Sequence, residues 1–245
     1  MKARHIIIAL AAALCAMFRA GAVSPYEVLS GRADRFFDQK EWAQASAVYD
    51  LMLDERPAVT ATYGRAIVAN AMRNDSVAQM ALMQKALDNH IPFDSVFSRV
   101  RQTSFSLGKT SLYERFLTHV RAAYPWMKRT VDGYLLRYYA YRRNGLMMVR
   151  YSDQMLAGAP ANIEFLTLRG QGLFLQNLEK EAVGTFTRIL EIAPDNFTAL
   201  VTLGNWYADA GTPDSRPLAR EYLSRAMSVH PTPYVAARLA ALPVQ

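Results

Sequence analysis

The sequence has very little cysteine and histidine. Cys15 is its only cysteine among 245 residues, and it contains four histidines. A chain with one thiol has no disulfide framework and no cysteine-ligated zinc site. No His-Glu-x-x-His motif or similar ligand spacing occurs, so we predict neither a metal nor a cofactor.

The motifs of common enzyme classes are also missing. Gly108-Lys109-Thr110 is similar to the end of a phosphate-binding loop, but Thr103 stands where the first glycine is required. Gly170-Gln171-Gly172 lacks a third glycine, because position 175 is Leu175. No Gly-x-Ser-x-Gly elbow is present. The sequence therefore predicts a protein that is not an enzyme.

Long hydrophobic runs are absent except near the start of the chain. The run Ile6–Phe18 is 13 residues long, short of the roughly 20 that span a bilayer as a helix. Lys2 and Arg4 precede it, and Ala20-Gly21-Ala22 follows it. This order is typical of a secretory signal peptide. We expect residues 1–22 to be cleaved and the protein to be exported, to the periplasm or cell envelope of a bacterium. The alternative is a membrane-tethered protein that keeps residues 6–18 as an anchor.

The positive charge depends partly on that segment. The formal charge is +7, from 28 basic and 21 acidic residues. Removing residues 1–22 takes away three basic residues and no acid, which leaves +4. The basicity is therefore a weak argument for nucleic-acid binding, and no nucleic acid is expected as a partner. With 51% hydrophobic residues, the remaining chain can form a buried core.

Proline recurs at one interval along the chain. Six prolines are separated by 35, 33, 35, 34 and 37 residues: Pro57, Pro92, Pro125, Pro160, Pro194 and Pro231. Each follows one helix-like apolar stripe and precedes another. Proline has no backbone N–H and disfavours helix at the preceding residue, so it separates one helix from the next. The interval predicts a repeat of two helices, A and B.

The residues between the prolines resemble those of the tetratricopeptide repeat, or TPR. In helix A the match is Leu203-Gly204 with Tyr207 three residues on; in helix B it is Ala182 and Phe186, with Gly170 in the preceding helix A. The first unit carries Ala33, Phe36, Trp42, Ala45 and Tyr49. Small residues allow close helix approach, and aromatic residues fill the space between units. The resemblance implies packing roles for them.

The predicted fold is all-α, an α-solenoid of about six TPR-like repeats with a C-terminal capping helix. The repeats are expected at residues 26–59, 60–93, 94–128, 129–162, 163–196 and 197–233, followed by a cap at 234–245. The third repeat matches the pattern least. The predicted helix pairs are 26–38/42–55, 60–72/76–88, 94–106/111–123, 130–142/146–157, 163–176/179–192 and 197–210/216–229. A terminal repeat needs a cap because no further neighbour buries its apolar face.

Basic residues are concentrated in the middle of the chain. Residues 101–160 contain ten lysines and arginines against three acids, interleaved with aromatic residues. This segment has three interpretations: a solvated helix face with packing aromatics, a surface for an anionic partner, or a nucleic-acid surface. The export signal argues against the last.

TPR arrays resemble one another in lining a concave groove with helix A residues. By register, the resemblance implies partner-binding roles for Arg65, Arg99, Gln102, Arg137, Tyr141, Gln171, Asn205 and Asp209. Ser30 and Asp34 depart from the pattern that clamps a peptide carboxylate, so that activity is not carried over. The predicted function is a non-enzymatic scaffold or adaptor that binds a protein or peptide segment, for which the central arginines favour acidic character. The alternatives are the membrane-tethered form and a helical-repeat protein that binds an anionic glycan or ligand. The sequence makes no prediction of oligomeric state.

Overall fold

A computed structural model of the chain describes residues 25–243. The predicted signal peptide and the anchor at residues 6–18 lie outside this range. The described residues form an all-α structure, and no strand occurs among them. The chain divides into two compact units with a border between Val131 and Asp132.

The first unit contains three helix pairs. Its helices are α1 (Pro25–Asp38), α2 (Trp42–Glu55), α3 (Thr60–Met72), α4 (Ser76–Asp88), α5 (Phe93–Ser106) and α6 (Ser111–Ala123), followed by a 3-10 turn at Pro125–Met127. Each helix contacts the next, and α3 also packs against α5. Successive A helices α3 and α5 therefore lie side by side, as the α-solenoid class requires.

The border falls inside α7 (Lys128–Tyr141), and the second unit continues to the end of the described chain. Its further helices are α8 (Gly145–Leu156), α9 (Ile163–Phe174), α10 (Glu179–Ile192), α11 (Phe197–Ala210), α12 (Ser215–Val229) and α13 (Pro233–Ala240). From α8 onward each helix packs on the next. The bounds of α1 to α12 lie within two residues of those predicted for the six helix pairs. α13 stands where the C-terminal cap was predicted at 234–245, but it ends at Ala240.

The joints between repeats have a common construction in the second unit. Asn162 and Asn196 each follow a linker proline by two residues, and their side-chain oxygens accept from Phe165 N–H (3.0 Å) and Ala199 N–H (2.9 Å). Such N-caps satisfy backbone donors that have no partner within the helix. Proline therefore ends one repeat, and asparagine begins the next.

The carbonyl oxygens of the linker prolines accept hydrogen bonds from the following repeat. Arg188 Nη2 donates to Pro160 O at 2.8 Å, and Arg225 Nη2 donates to Pro194 O at 2.9 Å. In the first unit the corresponding acceptor, Pro57 O, is bound by the Tyr63 hydroxyl at 2.8 Å. These bonds tie each of the three linkers to a helix of the next repeat.

The turn between helix A and helix B contains one left-handed residue in every repeat. These residues have φ between +51° and +66°, and they are Lys40, Asn74, Gly108, Arg143, Asn177 and Gly211. Their intervals are 34, 34, 35, 34 and 34 residues, more regular than those of the prolines. In the Arg143 turn, Asn144 N–H reaches Tyr139 O (3.0 Å) and Arg143 N–H reaches Ala140 O (3.0 Å). This Schellman pattern satisfies the last carbonyls of helix A and starts helix B.

Small residues bring the two helices together in the fifth and sixth repeats, as the TPR resemblance implied. A Cβ atom at Gly170 would lie 2.5 Å from the Phe186 ring, and one at Gly204 would lie 2.7 Å from Leu223. Phe186 and Leu223 are buried in the core of the second unit. These glycines and Phe186 therefore have packing roles.

Candidate binding surface

The predicted partner-binding residues of the first unit lie on its A helices. α3 and α5 cross at Gly64, where a Cβ atom would lie 2.7 Å from Arg99 Cβ. The missing side chain lets the backbone of α5 approach α3 closely. Arg65 and Arg99 are thereby held on two adjacent A helices.

Arg65 belongs to a polar network that joins two repeats. Its Nη1 lies 2.6 Å from Asp34 Oδ1, and the Tyr49 hydroxyl donates to the same carboxylate oxygen at 3.4 Å. The Arg65 guanidinium also lies 5.4 Å from the centre of the Phe37 ring. Burial of Tyr49 raises the pKa of its phenol well above its usual range. This network holds α3 against α1 and α2.

Arg99 and Gln102 lie exposed on α5. Arg99 Nη1 donates to Gln102 Oε1 at 3.2 Å. No carboxylate within the described residues pairs with Arg99. Of the three predicted residues in the first unit, Arg99 is therefore the one with a positive charge that no carboxylate of the described residues compensates.

In the second unit, Arg137 of α7 is paired with Glu164 of α9. Its Nε donates to Oε1 at 3.0 Å and its Nη2 to Oε2 at 3.2 Å. This two-point contact orients both side chains. Tyr141 lies exposed at the end of α7, and Gln171 lies exposed on α9. The structure brings these residues to neighbouring A helices, with the charge of Arg137 compensated.

The terminal helix α13 forms hydrogen bonds with both predicted partner-binding residues of the last repeat. Arg238 of α13 donates through Nε to Asn205 Oδ1 (2.9 Å) and through Nη2 to Asp209 Oδ1 (2.6 Å). The Asn205 amide donates to the Tyr234 hydroxyl at 2.9 Å. Asn205 and Asp209 therefore already bind a segment of this chain, in the place where a seventh helix A would stand.

Ion pairs between successive A helices recur in both units, and the sequence did not reveal them. They are Asp34–Arg65, Arg137–Glu164 and Asp209–Arg238. The repeat register placed at least one member of each pair on helix A, but it did not show that the two members contact each other. The two members of each pair are 27 to 31 residues apart in the sequence, slightly less than one repeat length. Opposite charges at this spacing on successive A helices are the sequence pattern that would have predicted the pairs.

Some of the central arginines and aromatic residues have structural contacts. Arg115 Nη1 donates to Asn74 Oδ1 at 3.1 Å, and the Arg101 guanidinium lies 5.0 Å from the centre of the Phe105 ring. Tyr139 stacks on Tyr151 with ring centres 5.4 Å apart. These contacts agree with the interpretation of part of the segment as a packed and solvated helix face.

A cleft that the sequence did not predict lies between α8, α9 and α10. Its volume is about 470 Å³, and Asp153, Arg169, Glu181, Thr185 and Arg188 line it together with apolar residues. Arg169 Nε donates to Asp153 Oδ1 at 2.7 Å, and its Nη1 donates to Thr185 Oγ1 at 2.7 Å. Its lining holds two arginines and two acids, so it has no preference for one sign of charge.

The described residues hold no group of three metal-ligating side chains close enough to bind an ion. Gly108 stands in the turn between α5 and α6 with φ +66°, so the strand that a phosphate-binding loop needs is missing there. None of the helices within residues 25–243 combines the length and apolar character that crossing a bilayer requires.

No family model and no curated protein matches this chain. Solved structures are similar to it. The C-terminal part of a TPR repeat-containing protein from Cytophaga hutchinsonii has 14% identity and a TM-score of 0.49, over 80% of this chain and 77% of that one. The TPR2AB domain of yeast Sti1, in its pHSP90 complex, has 13% identity and a TM-score of 0.37, over 88% and 97%. The repeat length, the helix pairs and the small residues between them make this chain TPR-like.

Proposed function

We propose that this chain is a non-enzymatic scaffold that binds a segment of another protein on the A-helix face of its repeats. The exposed and uncompensated guanidinium of Arg99, beside Gln102 on α5, is the observation that supports this most directly. A segment with acidic side chains would complement it, because a charge-assisted bond between guanidinium and carboxylate is about twice as strong as a neutral one.

The paired residues refine this proposal. Arg65 and Arg137 already contact carboxylates, so a ligand would have to displace these partners to bind their guanidinium groups. Asn205 and Asp209 are engaged by α13. The proposed contact therefore centres on α5, with Arg65 beside it on α3.

A peptide selection followed by one charge reversal tests this function. Peptides selected on the wild-type protein from a random displayed library are expected to be rich in Asp and Glu. Arg99→Glu should weaken their binding at least tenfold in a fluorescence anisotropy titration, which corresponds to about 1.4 kcal/mol. Arg99 has no ion pair to lose, so this substitution removes no structural contact with a carboxylate.

Arg150→Glu is the matched control. Arg150 lies exposed on α8 and makes no hydrogen bond or ion pair with the described residues. Arg150→Glu therefore changes the net charge by the same amount as Arg99→Glu, but on a different helix. Equal affinities of wild type and Arg99→Glu, or an equal loss in both variants, would refute binding at α5.

We further propose that binding occurs after export to the cell envelope. The support is the order of basic, apolar and small residues over positions 1–22. Intact mass measurement of the protein from its host should give a chain that begins at Val23 in the envelope fraction. A chain that keeps residues 1–22 would instead support the tethered alternative.

A further inference from the structure

Four exposed apolar side chains lie at two A–B turns of the second unit. Tyr141 and Leu146 flank the turn between α7 and α8, and Leu175 and Leu178 flank the turn between α9 and α10. Leu146 is 66% exposed and Tyr141 59%, while Leu175 and Leu178 are about 40% exposed. We call these four residues the turn patch.

The two turns are in direct contact. Gly145 lies between them, and a Cβ atom there would stand 2.6 Å from Gly172 O and 2.8 Å from Leu175 Cβ. Only a residue without a side chain allows this approach. The two turns therefore place their four exposed apolar residues in one region of the second unit, whereas the single exposed apolar residues common on soluble proteins are scattered.

Leu146 and Tyr141 are the most accessible side chains of the turn patch. Leu146 and Tyr141 leave more than half of their surface accessible, whereas residues that line a peptide groove are enclosed on several sides. The Arg143 turn is tight, with φ +51°, and Asn144 caps α8 by accepting from Met147 N–H at 3.1 Å. An exposed turn that carries leucine and tyrosine fits the headgroup layer of a membrane, where such side chains insert.

The charge around the more exposed turn has one sign. Residues 133–152 contain four arginines and no acid. Two of these, Arg142 and Arg143, follow Tyr141 directly; a third, Arg137, is paired with Glu164. The second turn is mixed, with Glu179, Lys180 and Glu181, and Glu179 accepts from Trp206 Nε1 at 3.1 Å. The positive excess thus lies beside the most exposed apolar side chains.

We propose that the turn patch binds the surface of an anionic lipid membrane. Leu146 and Tyr141 enter the headgroup layer, and Arg143, which is exposed in that turn, faces lipid phosphates. Basic residues near an anionic surface and apolar side chains inserted into it add their contributions to binding. The contact involves the second unit alone and does not depend on the apolar run at residues 6–18.

A local fluorescent probe tests this proposal in the full chain. Cys15 is replaced by alanine, and a single cysteine at position 146 or 77 is labelled with the environment-sensitive dye NBD. Val77 is the matched control: it is 80% exposed, and both residues stand second in a helix, behind the capping side chains of Asp75 and Asn144. Because the probe reports its own surroundings, tethering through residues 6–18 does not mimic a signal at position 146.

Vesicles of phosphatidylcholine with 30% phosphatidylglycerol should raise NBD emission at position 146 severalfold and shift it to the blue. The dye at position 77 should not respond, and neither should the dye at position 146 with phosphatidylcholine alone. Adding Leu178→Asp should weaken the response severalfold. Leu178 is the N-cap of α10 and makes no capping bond, so aspartate there is compatible with folding.

Three results would overturn the proposal. The first is an unchanged emission at position 146 with anionic vesicles, and the second is an equal change at position 77. The third is a blue shift at position 146 that grows with protein concentration without vesicles, which would assign the turn patch to contact between copies of this chain.

Discussion

Lys40 and Arg143 adopt a left-handed conformation that disfavours residues with a side chain. For such a residue this conformation costs about 1–2 kcal/mol, because Cβ approaches the following carbonyl oxygen. Both stand at the position that Gly108 and Gly211 fill in other repeats. The Schellman hydrogen bonds form at all four turns in which the left-handed residue is not glycine. The conformation at this position is therefore imposed by the packing of the two helices.

Lys40→Gly is expected to raise the free energy of unfolding by about 0.5–1 kcal/mol. Glycine removes the energetic cost of the left-handed conformation in the folded state. This gain is larger than the free energy lost because glycine has more conformational entropy in the unfolded chain. Urea unfolding followed by circular dichroism measures the change.

Gly108→Ala is the mirror control in the same unit. No atom outside its immediate neighbours lies within 4 Å of a Cβ atom built on Gly108, so this substitution changes the backbone energy alone and should lower stability by about 1 kcal/mol. If Lys40→Gly destabilises the protein, the side chain of Lys40 has a role that its exposure does not reveal.

Helix–helix contact in the second unit depends on two facing glycines. Gly145 begins α8, and Gly172 lies in α9; a Cβ atom at Gly172 would lie 2.8 Å from Met148 Cβ and 3.0 Å from Gly145 O. Both nearest atoms belong to backbone or to the base of a side chain, so neither can move without the helix. The spacing of α8 and α9 is therefore set by the absence of side chains.

Gly172→Ala should destabilise the protein by about 1–3 kcal/mol through overpacking. Gly184, in α10, offers the opposite case, since a Cβ atom there meets nothing within 4 Å. Gly184→Ala should stabilise by about 0.5–1 kcal/mol, because alanine has the higher helix propensity. Thermal unfolding compares the two variants. Equal melting temperatures would show that α8 and α9 can separate at little cost.

Helix boundaries were predictable because proline and apolar periodicity act locally. Pro160 and Pro194 mark the joints regardless of what lies elsewhere in the chain. The regular spacing of the turn residues was not recognised, because Lys40 and Arg143 stand at positions where glycine or asparagine is the usual sequence signal for a left-handed residue. The ion pairs of Arg137 and Asp209 join side chains of successive A helices. Counting the charged residues of one segment does not show which side chain of the next repeat lies opposite.

Across the whole molecule, buried and half-buried tyrosines link stability to alkaline pH. Burial raises the phenol pKa of Tyr49, Tyr63, Tyr124 and Tyr222 above its usual value of about 10. A raised pKa in the folded state means that the folded protein favours the neutral phenol. The contribution of each neutral phenol to the free energy of unfolding is complete below pH 10. It is lost as pH rises through the pKa of that phenol in the folded state.

The free energy of unfolding should therefore fall as pH rises above 10, by at most about 1.4 kcal/mol per pH unit for each such tyrosine. Urea unfolding at intervals from pH 8 to pH 11 measures this. Tyr49→Phe keeps the buried ring and removes the ionisable group, so its stability should fall less steeply. If its pH dependence matches that of wild type, Tyr49 does not contribute to the alkaline loss.

The linker joints of the second unit differ from its ion pairs in their response to the surrounding solution. Arg188 and Arg225 bind the carbonyl oxygens of Pro160 and Pro194, which carry no net charge and do not titrate. Exposed ion pairs such as Arg137–Glu164 weaken as added salt screens their charges. A hydrogen bond to a neutral carbonyl oxygen is weakened much less by salt. The positions of these two linkers should consequently vary little with ionic strength.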